Sequence, residues 1–326
     1  MRGGRKPAQY FAILACLLVF VAVAGPVAAR SAAAADKPRK SWFSFSGMYQ
    51  IGLIEIDYPI YDSRFLVRQI QRFERNPLIR ALVLHIDSPG GEVGATQEVV
   101  AELRKFREGG KAPRYIVASF GGVAASGAYY IACMADRIYT NPGALTGSIG
   151  VVMEFPDAED LLKKIGVRYI VVKSGRFKDT GSFARGLTEE EQAVLQETIN
   201  DVYDQFFETV WEGRRDAIKR AVSRIQGGVR ATDGQARAHL KRVADGRVMS
   251  GRQALKAGLV DSIGGLDDAM DEAARLGGSE RRHVVRAERL RRDRSVFDLI
   301  GGILNIPAPD TMLKRRSGIS LQYLLR

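Results

Sequence analysis

The chain has 326 residues, 46% apolar and 26% charged, with 49 Lys and Arg against 37 Asp and Glu for a formal charge of +12. This is the make-up of an ordinary globular protein and excludes a collagen-like or wholly disordered chain. The excess charge sits at the ends: residues 1–40 hold seven basic and one acidic residue, residues 280–326 hold eleven and five, and residues 41–279 hold 31 of each. A neutral body lacks the single-sign field that grips a polyanion, so no nucleic-acid partner is expected. Two cysteines, Cys16 and Cys133, and three histidines at no ligand spacing argue against a disulfide framework or structural zinc. Any chemistry is expected to need neither metal nor cofactor.

In chain order, Arg2, Arg5 and Lys6 precede an uncharged apolar run over 11–29, about 28 Å as a helix and close to a hydrocarbon core. Residues 1–40 therefore read as a signal anchor or signal peptide followed by a tether, and the reading leans to an uncleaved anchor with the body exported. Short β-rich runs at 52–56, 81–86, 115–119, 137–139 and 169–172 predict strands. Apolar residues at three-to-four spacing over 62–74, 93–107, 126–134 and 157–165 predict helices between them. Such alternation favours an α/β fold around a mainly parallel, buried sheet. Thr188-Glu189-Glu190-Glu191 is a capping box that opens a long amphipathic helix to about residue 211. The stretch 214–244 is basic and Gly-interrupted, with no role legible in it. Ser250 then opens a short helix that Gly258 ends. In the tail, 281–294 is densely basic and 296–304 apolar, which reads as a solvated extension or as a segment resting on anionic lipid.

The chemistry-bearing residues lie on Gly-rich turns after strands. In Asp87-Ser88-Pro89-Gly90-Gly91 the two glycines leave backbone amides unobstructed, which is what an oxyanion hole requires. In Phe120-Gly121-Gly122-Val123-Ala124-Ala125-Ser126-Gly127 a run of small residues leads a serine to a helix N-terminus. Taken alone, such a turn more often caps or packs a helix. A nucleophilic Ser126 needs a base. His85 falls within a predicted strand as a core residue, and His239 and His283 fall in basic, loop-like surroundings. A lysine serves when burial favours its neutral amine. Lys178 fits, in the polar loop Lys173-Ser174-Gly175-Arg176-Phe177-Lys178-Asp179-Thr180-Gly181-Ser182, and by composition Lys173 is an equal candidate.

With these motifs in place the sequence resembles the signal peptide peptidase A family of S49-type serine peptidases. The likeness covers roughly 52–278, with Ser88-Pro89-Gly90-Gly91, Ala125-Ser126-Gly127-Ala128-Tyr129-Tyr130, Thr146-Gly147-Ser148-Ile149-Gly150-Val151 and the Lys173 to Asp179 loop in the family's order. The resemblance implies that Ser126 is the nucleophile and Lys178 the general base. It also implies that Gly91 and Gly127 form the oxyanion hole and that Ser148 orients the lysine. It implies a fold like the Clp protease and crotonase proteins, with repeated β-β-α units and the long helix as an arm. The domains expected are 1–40 (membrane segment and tether), 41–278 (peptidase) and 279–326 (basic extension). The expected protein is a bacterial inner-membrane endopeptidase with its catalytic domain on the exported side. It would degrade signal-peptide remnants and other apolar peptides as a homo-oligomeric ring whose sites are shared between subunits. A crotonase-like acyl-CoA enzyme and a catalytically silent membrane scaffold are the alternatives.

Overall fold

A computed structural model describes residues 49–110, 112–278, 283–288 and 322–324. The apolar run 11–29, Cys16 and most of the basic tail lie outside the described residues. Among the described residues no helix is long and apolar enough to cross a membrane.

The fold is α/β. Strands β1 (Gln50–Ile56), β2 (Ile79–Ser88) and β4 (Tyr115–Ala125) pair in parallel at its centre. They carry Ile, Leu and Val on both faces because both faces are covered. On one face Leu82, Leu84, Ile86 and Ile116 join a large core with Leu66, Ile70 and Phe73 of α1 (Arg64–Glu74) and Leu103 and Phe106 of α2 (Val93–Glu108). On the other face Ile51, Leu53, Val83 and Val117 meet the alanine face of a helix at residues 266–277, where Ala269 and Ala273 are fully buried. Each such large apolar side chain contributes about 1.5–3 kcal/mol when buried.

β4 forks. Its first half pairs with β5 (Arg137–Thr140) and its end, Val123 to Ala125, pairs with β6 (Leu145–Gly147). The cause lies in its register with β2: Ile86 faces Phe120 but Ser88 faces Ala124, so one residue on β2 is matched by three on β4. The surplus around Gly121 and Gly122 is a bulge, which bends a strand and re-aims the residues beyond it. Asp87 locks the bulge, since its Oδ1 accepts the Val123 N–H at 2.9 Å. The run after Ser119, expected as a turn, is thus bent strand, and the turn itself falls on Ser126.

Two short helices come next, α3 (Gly127–Ala132) and α4 (Glu159–Lys164). The long helix α5 (Glu189–Ile225) starts at the expected capping box: Thr188 Oγ1 accepts the Glu191 N–H at 3.2 Å and Glu191 Oε2 accepts the Thr188 N–H at 3.0 Å. It does not stop near 211. Gly213 sits in its interior because a Cβ there would lie 2.0 Å from the Cys133 carbonyl oxygen, so glycine is what lets α5 touch α3. Arg214, 2% exposed, donates to Asp261 Oδ2 at 2.8 Å. The basic stretch 214–244 is therefore the second half of α5, a reversal, and α6 (Asp233–Val243). β7 (Val248–Ser250) pairs antiparallel with β6, and α7 (Gly251–Ala257) is capped by Ser250 and ended by left-handed Gly258, as expected. β8 (Ser262–Ile263) pairs with β5, the alanine-faced helix is α8 (Leu266–Gly277), and β9 (Val284–Arg286) extends the sheet beyond β1.

Residues 169–172, expected as a strand, form none. Ile170 is 82% and Val172 96% exposed, and α4 beside them buries nothing. β-rich sequence needs a neighbouring strand to satisfy its backbone, and here none lies alongside among the described residues.

Candidate active site

Ser126 is the residue at which bent β4 becomes α3, and it is 1% exposed. Its φ of 54° and ψ of −120° put it in a region that side chains rarely occupy. Its N–H donates to the Gly147 carbonyl at 2.8 Å and its own carbonyl accepts from Tyr130 N–H at 2.8 Å, so the backbone is held from both sides. The hydroxyl has no hydrogen-bond partner among the described residues. Ser148, φ 50°, is the other non-glycine residue with positive φ among the described residues. Its N–H donates to the Arg247 carbonyl at 2.8 Å. Because Ala125 and Gly147 are partners on parallel strands, the residues one step further on, Ser126 and Ser148, are neighbours. Local strain of this kind costs on the order of 1–3 kcal/mol per residue and gathers where function demands it.

Gly91 lies on a short strand, β3 (Gly90–Glu92). Ile60 N–H donates to the Gly90 carbonyl at 2.8 Å and Glu92 N–H to the Ile60 carbonyl at 2.8 Å. Alternation along the strand turns Gly91's own N–H and carbonyl to the opposite edge. A Cβ on Gly91 would come within 2.0 Å of the Ile60 carbonyl oxygen, so this close approach admits glycine alone. Ser88 fixes the turn into β3: its buried hydroxyl donates to the Tyr58 carbonyl at 2.7 Å and accepts the Gly90 N–H at 3.3 Å. α3 packs against β3, which brings Gly91 to the helix headed by Ser126. Gly127, first residue of α3, has an N–H with no intrahelical acceptor. Along the free edge of β3 runs β10 (Gln322–Leu324), antiparallel, with Tyr323 opposite Gly91. Nothing in the sequence signals that pairing, because it joins residues 230 or more apart.

Lys178 stands apart from this cluster. It is exposed, its side chain has no partner among the described residues, and no hydrogen bond joins it to Ser126 within the chain. Lys173, the rival by composition, is occupied: it forms a salt bridge with Asp179 and donates to the Arg176 carbonyl at 2.9 Å. The Lys178 loop is pinned to the head of α5. Arg185 donates to Asp179 Oδ2 at 3.0 Å and to both Glu191 oxygens at 2.8 and 2.6 Å, and Thr180 donates to Glu191 at 3.0 Å. Arg185, then Lys173, hold the Asp179 carboxyl well below the usual range. Arg185, followed by the Thr188 backbone, draws Glu191 down to about 2. The sequence marks Glu191 as a cap but does not disclose this clamp, since Arg185 carries no local signature.

None of the three histidines hydrogen-bonds Ser126. His85 is half-buried in β2, with its Nδ1 unpartnered. His239, expected in a loop, lies on α6 with a ring nitrogen 3.2 Å from the Ala257 carbonyl. Cys133 is a buried free thiol, pushed up to about 12 by desolvation. Tyr129 and Tyr130 pack into the core: the Tyr129 hydroxyl donates to the Leu259 carbonyl at 2.8 Å, and Tyr130 meets Phe206 edge-on at 5.0 Å. No group of His, Cys, Asp and Glu able to hold a metal occurs among the described residues.

Several proteins named as proteases are similar in sequence to this chain. A protein of Synechocystis sp. provisionally named a protease is 43% identical over 61% of this chain and 63% of its own length. A provisionally named signal peptide peptidase SppA of Enterococcus faecium is 33% identical over 65% of this chain and 55% of its own. Protease 4 of Salmonella typhi is 35% identical over 66% and 31%. The chain thus spans less than two thirds of each of these relatives. The model of peptidase family S49 matches residues 110–238 and 228–279, a reach that takes in Ser126, Ser148, the Lys178 loop and α5, and the chain belongs to that family.

Proposed function

We propose that the chain is a serine endopeptidase in which Ser126 is the nucleophile and Lys178 the general base, with the two meeting across a subunit boundary. The observation that carries this reading is the pair of strained serines: the two non-glycine residues of positive φ among the described residues, Ser126 and Ser148, are side by side. In the first step the neutral Lys178 amine takes the Ser126 hydroxyl proton as Oγ attacks a peptide carbonyl. The N–H groups of Gly91 and Gly127 hold the resulting oxyanion, and Ser148 orients the amine. The lysine then gives its proton to the departing amine, and water cleaves the acyl-enzyme. A lysine works this way when it is removed from water. The exposed position of Lys178 and the uncovered apolar side chains of Ile165, Tyr169, Ile170 and Val172 support a second copy of the chain as what covers it.

The substrate proposed is an extended apolar peptide such as a signal-peptide remnant. Support comes from the edge of β3, which accommodates an antiparallel strand beside Gly91, here the chain's own residues 322–324. Strand addition of this kind supplies affinity through the main chain and is indifferent to most side chains. The Clp protease and crotonase likeness, a ring of subunits, and a membrane anchor at 11–29 with the catalytic domain on the exported side complete the proposal.

The test is cleavage of an unstructured apolar peptide. Ser126→Ala and Lys178→Ala are each expected to abolish it while remaining folded and assembled. Mixed oligomers of the two inactive variants are expected to regain activity, because some interfaces then join an intact serine to an intact lysine. Full cleavage by either single variant removes that residue from the mechanism. Verified mixed oligomers that stay inactive refute the shared site.

A further inference from the structure

The basic stretch that carries no part of the proposed chemistry builds an open-mouthed cavity of about 810 Å³. Lys219, Arg220 and Arg224 on the last turns of α5, Arg230 in the reversal and Arg137 on β5 give it five cationic groups, against two carboxylates, Asp216 and Asp261. The reversal is what returns Arg230 to α5. Gly227 and Gly228 take φ of 68° and 95° to turn the chain, and Ala231 N–H donates to Ser223 Oγ at 2.9 Å. None of the lining residues belongs to the proposed catalytic set.

The charges cancel only in part. Asp261 is already shared among Arg214 at 2.8 Å, Arg220 at 3.6 Å and Arg137 at 4.0 Å, it also accepts the Ile138 N–H at 2.9 Å, and Arg137 has a second acidic partner in Glu272 at 3.6 Å. Lys219 is engaged by Asp233 at 2.8 Å. Arg224 and Arg230 have no acidic partner among the described residues. Gathering cations around a concave surface raises the potential inside it, and guanidinium forks match the geometry of phosphate oxygens in a way that a point charge does not. The volume falls within the roughly 300–1,000 Å³ of small-molecule sites.

We propose that this cavity is a binding site for a phosphate-bearing anion of two or more negative charges, gripped by Arg224 and Arg230 with Arg220 and Arg137 flanking. The anion is either a soluble phosphate compound or the headgroup of an anionic lipid, since both present the same oxygens.

Calorimetric titration of the full chain in detergent with inorganic pyrophosphate, at low ionic strength, tests the site. Saturable binding is expected, weakened about tenfold or more in Arg224→Gln/Arg230→Gln. The control Lys241→Gln/Arg242→Gln, which removes two charges of α6 outside the cavity, is expected to stay within about twofold of the parent. No saturable binding, or an equal loss in the control, overturns the proposal. Arg230→Gln alone serves if the double variant is unstable. Competition in the same detergent with short-chain phosphatidic acid, a lipid phosphomonoester, then separates the two sources. Displacement of pyrophosphate by the lipid assigns a lipid headgroup, whereas pyrophosphate binding left unchanged by the lipid assigns a soluble anion. Neither measurement depends on peptidase activity.

Discussion

The two halves of the proposed dyad are built in opposite ways. Ser126 is enclosed in the sheet, its backbone hydrogen-bonded to Gly147 and Tyr130 and its position set by a bulge that Asp87 locks. Lys178 is carried on an exposed segment whose apolar side chains face outward, and that segment touches the body through the Arg185 clamp at the head of α5. The proposed nucleophile is held by its own chain. The proposed base is exposed and joined to it by no hydrogen bond. A subunit organised in this way would be inert by itself, and its chemistry would be switched on by assembly.

The contrast can be broken most sharply at the exposed apolar residues that precede the Lys178 loop. Ile170→Asp with Val172→Asp, exchanging two side chains that lie open on the subunit surface, is expected to leave the melting temperature of the monomer unchanged, prevent assembly in analytical ultracentrifugation and remove nearly all cleavage. A fully active monomeric variant would place the base within the same chain. On the enclosed side, Gly91→Ala forces a Cβ into the Ile60 carbonyl and displaces one oxyanion donor. The expected loss is about 10²–10³ in kcat with assembly intact, and a smaller effect on kcat than on KM would count against that role.

A gentler change separates placement from chemistry. Arg185→Leu frees the Lys178 loop from α5, and a fall of about tenfold in kcat is expected, with Arg185→Lys recovering only part of it because a point charge cannot span Asp179 and Glu191 together. The clamp also has a pH signature. Both carboxylates are depressed in the folded protein, Glu191 from 4.5 to about 2, so their contribution to stability is fully present above about pH 4.5 and is lost as pH falls through about 2. The melting-temperature gap between the parent and Arg185→Leu is therefore expected to hold steady over pH 5–8 and to narrow in stronger acid. A gap that widened there would invert the assignment. The smallest effect expected is that of His85→Ala, whose peptide cleavage should stay within about twofold of the parent. A large drop would bring a histidine back into the mechanism.

What the sequence disclosed tracks the range of the forces involved. The caps at Thr188 and Ser250 and the left-handed stop at Gly258 are settled within four residues, and each is found where expected. The parallel core was legible from Ile, Leu and Val runs covered on both sides. Three features were not. Gly121 and Gly122 read as a turn, because the surplus that makes them a bulge exists only against the register of β2. The long helix read as ending near residue 211, because the Cys133 carbonyl against which Gly213 continues it arrives from residues 80 positions earlier. Residues 169–172 read as a strand, and that sequence still has the composition of one. Of the candidate site, Ser126, Ser148, Gly91 and Gly127 were grouped through the family's motif order rather than through any spacing, since pairing between β4 and β6 cannot be read along one chain. The Arg185 clamp was invisible for the same reason.

The two strained serines have a consequence for how this protein would change over time. A residue at φ near 50° resists its own conformation, and glycine there would relax it at little steric cost. Mutation under pressure for heat tolerance alone would be drawn toward Ser126→Gly and Ser148→Gly, and each step would erase a hydroxyl that the proposed reaction uses. Robustness and turnover therefore pull these two codons in opposite directions, and a lineage that kept both serines while withstanding high temperature would have had to find its added stability elsewhere, for instance in the closely packed contact between α8 and the sheet.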